Sequence, residues 1–177
     1  MEHNFERCME MLLKHEGLYS DNSRDPGGET MRGITKRVYQ NWCVEEDVFR
    51  KEMKDLTVAD VTPIYKKNYW DRVQGDALPD GVDWAVFDWA VNSGTGRSAK
   101  ALQEIIDTKV DGAIGHMTLQ ELEKYNPEDV IYDIADKREA FYESLSTFDT
   151  FGKGWLRRNE ETRDSALDMA IIAQTPA

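Results

Sequence analysis

The sequence predicts an all-α fold with at most one small β-hairpin, and three observations predict it. Apolar residues recur with a helical period along most of the 177 residues. One segment, 82–91, is apolar at nearly every position, as the central buried helix of a helical domain is. Only residues 17–34 lose the helical period over any length. A chain of this length favours one domain, or at most two small ones. It can bury roughly 70% of the surface that its unfolded form exposes, so neither a metal nor a disulfide is required for folding.

The elements follow in order. Phe5, Cys8, Met9, Leu12 and Leu13 lie on one face of a first helix, which ends near Glu16 because Gly17 suits the position after a helix. Asp25-Pro26-Gly27-Gly28 then reads as a turn. Residues 17–20 and 33–34 flank this loop and are expected to pair as a short hairpin. Thr35 reads as the N-cap of the next helix, and a charged segment, 45–55, follows it. Thr62-Pro63 reads as N-cap and first position of a helix through Trp70. Pro79-Asp80-Gly81 is a turn, and Gly94 stops the apolar helix. Ala99, Leu102, Ile105 and Ile106 mark another helix, and Thr118 with Glu121 reads as a capping box. Asn126-Pro127 opens a helix carrying Val130, Ile134, Phe141 and Leu145. A last helix is expected after Gly152-Lys153-Gly154-Trp155, ending near Ala173. With Gly75–Gly81 as the waist, the expected lobes are 1–80 and 81–177, packed as one globular unit.

Composition excludes several function classes. Hydrophobic residues are 40% and aromatics 10%, which is globular rather than disordered. Twenty-two Lys and Arg against 34 Asp and Glu leave a net charge of −12, the opposite of a nucleic-acid binder's footprint. No run of about 18 apolar residues exists, so no membrane insertion is expected. The start, Met1-Glu2-His3-Asn4-Phe5-Glu6, has no basic and apolar regions of a signal peptide, so synthesis in a cytoplasm is expected. Cys8 and Cys43 are too few for a disulfide framework and are expected to stay reduced. His3, His15 and His116 lack metal-ligand spacing, and no P-loop, dinucleotide fingerprint or G-x-S-x-G is present. No metal and no cofactor are therefore expected, and a monomer is.

Three residues near the irregular segment carry chemistry between them. Glu16 sits at a predicted helix C-terminus, where the macrodipole disfavours a carboxylate and so raises its pKa, as a general acid requires. Taken alone it reads more readily as an exposed carboxylate on a frayed helix end. Asp25 opens the Asp-Pro-Gly-Gly turn and can simply accept that turn's own N–H groups. Thr30 alone is an ordinary loop hydroxyl. Together, an acid, a carboxylate and a hydroxyl across a Gly-rich turn match the equipment of glycoside hydrolysis. Asp88, inside the apolar helix, must be paired or hydrogen-bonded, which favours a structural ion pair over catalysis. Asn92 and Ser93 either line a groove or cap that helix. Trp70, Trp84, Trp89 and Trp155 are read chiefly as core, with sugar stacking as the alternative. The segment from Asp111-Gly112 to Thr118 is read as architecture.

His15-Glu16-Gly17-Leu18-Tyr19, then Asp25-Pro26-Gly27-Gly28-Glu29-Thr30 and Arg32-Gly33-Ile34-Thr35, resembles the signature of glycoside hydrolase family 108. That signature runs roughly E-G-G-Y, then D-x-G-G-x-T-x-x-G-I-T, and Leu18 stands where the family usually has Gly. Val86 to Gly94, Ala101-Leu102-Gln103 with Val110 to Gly115, and Phe151 to Arg158 resemble the family's predicted peptidoglycan-binding region. The resemblance covers about residues 5–170. It implies a lysozyme-like helical fold and N-acetylmuramidase activity of the phage-endolysin type, with peptidoglycan glycan strands as partner. Glu16 is then the general acid, Asp25 and Thr30 hold and activate the water, and Tyr19, Asn92 and Ser93 contact the sugars. The spacing is also similar to the phage-type lysozymes, except that four rather than five residues separate Asp25 from Thr30. Such an enzyme reaches the wall only after release by a separate factor. The rival readings are a binding module that holds peptidoglycan without cutting it, and a chitinase or lytic transglycosylase.

Overall fold

The computed structural model describes residues 2–21 and 28–174. The chain is mainly helical, with one small antiparallel sheet, and divides into two compact units. The smaller unit is Glu6–Asn68, and the larger joins Met1–Phe5 to Tyr69–Ala177.

The smaller unit begins in α1, Glu2–His15, whose Cys8, Met9 and Leu12 are buried as the apolar face requires. Three two-residue strands follow, β1 Tyr19–Ser20, β2 Thr30–Met31 and β3 Ile34–Thr35, in the order β1-β2-β3. Residues 19–20 therefore pair with 30–31 and not with 33–34 as the sequence suggested. The reason is local. Arg32 and Gly33 both have positive φ, 50° and 79°, which suits the two-residue turn that ties β2 to β3 first. Thr35 caps α2, Lys36–Glu45, by accepting from the Val38 N–H.

The next helix corrects the sequence reading. α3 is Val58–Tyr65, opened by Thr57 in a reciprocal capping box with Asp60, so Thr62-Pro63 is not its start. Thr57-x-x-Asp60 satisfies two orphan donors one turn earlier, and Asp60 is further held by Lys51 at 2.8 Å. Thr62 instead donates its hydroxyl to the Val58 carbonyl, and Pro63 lies inside the helix. Pro63 has no N–H for the ladder, and α3 gives way two residues later to a π-helical turn, Lys66–Trp70.

The larger unit is built round α4, Val82–Ser93, in which every residue from Val82 to Ala90 is buried. It packs against α5, Thr95–Ile105, α7, Pro127–Glu143, and α8, Phe148–Gln174. Phe5, Trp70, Trp84 and Phe87 form one aromatic cluster, with Phe5–Trp70 and Trp70–Phe87 centroids both 5.3 Å apart. Asn126 caps α7 with Pro127 at its first turn. Two other elements differ from expectation. α6, His116–Leu122, has Gly115 as N-cap, and Thr118 lies inside it. The Thr118 hydroxyl is taken by the buried Gln103, which also binds the Asp111 to Ala113 loop on both its amide atoms. α8 starts before the glycines, because the Phe148 ring lies where a Gly152 side chain would be, 2.5 Å from an added Cβ.

Asp83 makes one pH-dependent contribution. Burial pushes its carboxyl up to about 6, against the hydrogen bonds from Asn4 and the Trp84 and Gly81 N–H groups. Its folded form thus holds a proton more tightly than its unfolded form. This contribution is greatest below about pH 4 and is lost as pH rises through about 6, roughly 2–3 kcal/mol in all. Asp83→Asn is expected to gain on the wild type between pH 4 and pH 7. Thermal unfolding of both proteins at the two pH values checks it, and an unchanged difference contradicts it.

Candidate active site

Glu16 is the residue after α1, its N–H donating to the Leu12 carbonyl at 3.2 Å, and its side chain is half-buried. What surrounds its carboxylate comes from the β2–β3 turn and from α3. A Cβ built on Gly33 would lie 2.6 Å from Glu16 Oε2 and would also collide with the Tyr65 hydroxyl. The bare Cα of Gly33 therefore forms part of the seat of the acid. Tyr65 is buried at 1% exposure and donates its hydroxyl to the Arg32 carbonyl at 2.8 Å, fixing the turn from the α3 side. Arg32 Nε reaches the Leu56 carbonyl at 3.3 Å, and the Arg32 N–H bonds the Leu18 carbonyl at 2.8 Å. Four segments thus converge on one tight turn beside Glu16.

Gly33 is constrained twice, by its positive φ and by the two side chains against it. Gly33→Ala is expected to cost about 2 kcal/mol or more in stability. It should also lower activity by about 10²-fold by shifting the Glu16 carboxylate. Unfolding and turnover measured on the same preparation check both, and a variant as active as the wild type contradicts the packing role.

Thr30 pairs with Ser20 and with Thr35 across the sheet. Its neighbour Met31 is buried, so alternation turns Thr30 to the opposite, more open face. Tyr19 is exposed on β1 and donates its hydroxyl to Glu29 Oε1 at 3.1 Å. Partial desolvation and the Glu29 carboxylate raise the Tyr19 phenol. Glu29 also accepts from Lys36 Nζ at 2.7 Å, and that hydrogen bond chiefly holds its carboxyl below the usual range. Asp25 lies outside the described residues.

Asn92 and Ser93 belong to the larger unit, at the end of α4. Gly94 caps that helix by backbone alone. The Asn92 side-chain oxygen accepts from the Tyr142 hydroxyl at 2.5 Å and from Ser93 at 2.8 Å. Both residues line a cavity of about 250 Å³ whose wall is the stacked pair Tyr142 and Trp155, 5.3 Å apart. Trp70, Trp84 and Trp89 are core. Asp88 is buried in a double ion pair with Arg138 and Arg158, a structural role. Among the described residues no group of His, Cys, Asp or Glu side chains is arranged to hold a metal ion. Cys8 and Cys43 are buried, and neither is in a disulfide.

The sequence reading missed Glu29, Gly33 and Tyr65 as parts of this site. The first two stand inside the quoted motif, so a signal was present. Tyr65 lies on a distant helix and offers none.

Comparison with known proteins covers both units. The model for glycosyl hydrolase 108 matches residues 9–94, and that for a predicted peptidoglycan domain matches residues 97–160. The solved structure of Brucella abortus SagA is 39% identical, with a TM-score of 0.85. The alignment covers 96% of this chain and 97% of that one. No curated protein matches significantly.

Proposed function

The chain belongs to the glycosyl hydrolase 108 family, and from that premise we propose that it cleaves the β-1,4 bond between N-acetylmuramic acid and N-acetylglucosamine in peptidoglycan. Membership makes it a glycoside hydrolase with peptidoglycan as partner. The observation that carries the finer reading is the seat of Glu16. A half-buried carboxyl stands at the C-terminal end of a helix, packed against the bare Cα of Gly33, on which the buried Tyr65 phenol also packs. There packing fixes its orientation, which suits proton donation to a glycosidic oxygen.

The remaining roles follow from the chemistry. Asp25 with Thr30 would orient the attacking water, and Tyr19, Asn92 and Ser93 would contact the sugar. Glu29 is already engaged by Lys36 and Tyr19 and stays ionised, which suits fixing Tyr19 rather than exchanging protons. A water-holding Thr30 favours single displacement, because a nucleophilic Asp25 would have to touch the anomeric carbon itself. The biological setting we propose is lysis by a phage or prophage, the enzyme being made in the host cytoplasm and released to the wall by a separate factor. The family resemblance supports that setting.

Mass spectrometry of products from purified walls tests the reaction. Reducing muramic acid ends are expected, and anhydro ends would replace hydrolysis by transglycosylation. Proton NMR of the first product tests the stereochemistry: an α anomer from the β-linked glycan supports inversion, and a β anomer overturns it. Release of soluble fragments at all separates the enzyme from a module that only binds.

A further inference from the structure

A cavity of about 690 Å³ lies between α5 and α7 of the larger unit, well within the size range of organic-ligand sites. Trp89 of α4 lines it, with Arg97, Lys100 and Glu104 of α5 and Lys137 and Phe141 of α7. On a chain of net charge −12, three cations and one carboxylate in one cavity are a local reversal of sign. The single carboxylate is already used, since Lys137 Nζ donates to Glu104 at 2.8 Å. Arg97 and Lys100 have no carboxylate partner among the described residues. The Arg97 guanidinium instead lies 4.0 Å from the Phe141 ring centroid, and its Nε donates to the Ser93 carbonyl at 3.4 Å.

Trp89 supplies the second, independent observation. Trp70 and Trp84 are as deeply buried, and their indole N–H groups donate to Asp76 and Ser165, each at 2.9 Å. Trp89 is 2% exposed, and its Nε1 has no hydrogen-bond partner among the described residues. The cavity thus presents a guanidinium and an ammonium, with its one carboxylate taken, on a wall that includes the Trp89 ring. Its complement is an organic acceptor carrying negative charge.

Peptidoglycan has two chemical parts, a largely uncharged glycan and a peptide stem rich in carboxylates. We infer that this cavity binds the peptide stem of the substrate, with a stem carboxylate between Arg97 and Lys100, beside the Trp89 ring. The inference rests on the peptidoglycan reading and adds which part of the polymer this unit recognises. Neighbouring Asn92 and Ser93, lining the smaller cavity that shares Arg97 and Phe141, place a polar aromatic surface beside it.

The test is an NMR titration of the full-length chain with the soluble tetrapeptide stem. The Trp89 indole resonance is expected to shift and saturate. Arg97→Gln and Lys100→Gln are each expected to weaken binding about tenfold or more. Both side chains are exposed, so their melting temperatures should stay near that of the wild type, which keeps loss of binding distinct from loss of fold. A stem with amidated carboxyls should bind at least tenfold more weakly than the free acid. The inference is overturned if the Trp89 resonance does not move, or if both variants bind like the wild type. It is equally overturned if inorganic phosphate or a neutral chitin fragment competes as well as the stem. Wall hydrolysis measured alongside separates the two readings. Stem binding without hydrolysis would sink the proposed reaction alone, and hydrolysis without stem binding would sink this inference alone.

Discussion

Glu16→Gln is expected to lower hydrolysis of purified walls by about 10²–10⁴-fold while the fold survives. At 1.36 kcal/mol per tenfold, this removes about 3–5 kcal/mol of transition-state stabilisation. Glutamine has the shape of glutamate, so it still fits against the Gly33 Cα. What it lacks is an acidic proton for the leaving oxygen. Clearing of permeabilised cells measures the rate, and thermal unfolding measures the fold. A variant that lyses walls near the wild-type rate removes Glu16 from the mechanism. Loss of both activity and stability would mean that the carboxyl matters mainly for packing. Paired with Gly33→Ala, the experiment separates the proton from its placement, since the alanine variant keeps the acid and disturbs only its seat.

Local signals were legible in the sequence, and long-range ones were not. The end of α1 before Gly17, the Thr35 cap, the Asn126-Pro127 start and the all-apolar α4 each depend on a few consecutive residues, and each was read correctly. Thr62-Pro63 misled because a proline suits either the first turn of a helix or, at a cost, a position near its end. The Thr57–Asp60 box decided between them. Thr118 misled for a different reason, since its hydroxyl is claimed by Gln103 from another helix. Glu16 and the hairpin turn were visible as a motif, whereas the Tyr65 phenol beside them follows only from the packing of α3. The Trp89 cavity was hidden in the same way. A tryptophan on an apolar helix reads as core, and only the fold reveals which indole N–H lacks an acceptor.

Asp88→Asn is expected to destabilise the protein by about 3–5 kcal/mol without removing a reacting group. Asp88 is fully buried on α4 and receives Arg138 Nη1 from α7 and Arg158 Nη2 from α8, each at 2.8 Å, with the Thr162 hydroxyl at 3.1 Å. Burial alone would raise its carboxyl, but the two guanidinium groups override this and hold it at about 2. The neutral amide leaves two cations facing each other, one of them Arg138 at 1% exposure with Nη2 already lacking a partner among the described residues. The pH dependence has a definite sign. A carboxyl depressed in the folded state contributes stability that is present above its unfolded value, near 4, and is lost as pH falls through about 2. The wild type should therefore lose roughly 2–3 kcal/mol from this group on acidification through that window, and Asp88→Asn should lack this component of the loss. Urea unfolding of both proteins at pH 7 and across pH 4 to 2 measures it. Turnover at a temperature where the variant remains folded decides the role. Activity within about tenfold of the wild type fits an ion pair that pins α7 and α8 onto α4. A folded but inactive variant would place Asp88 in the chemistry instead.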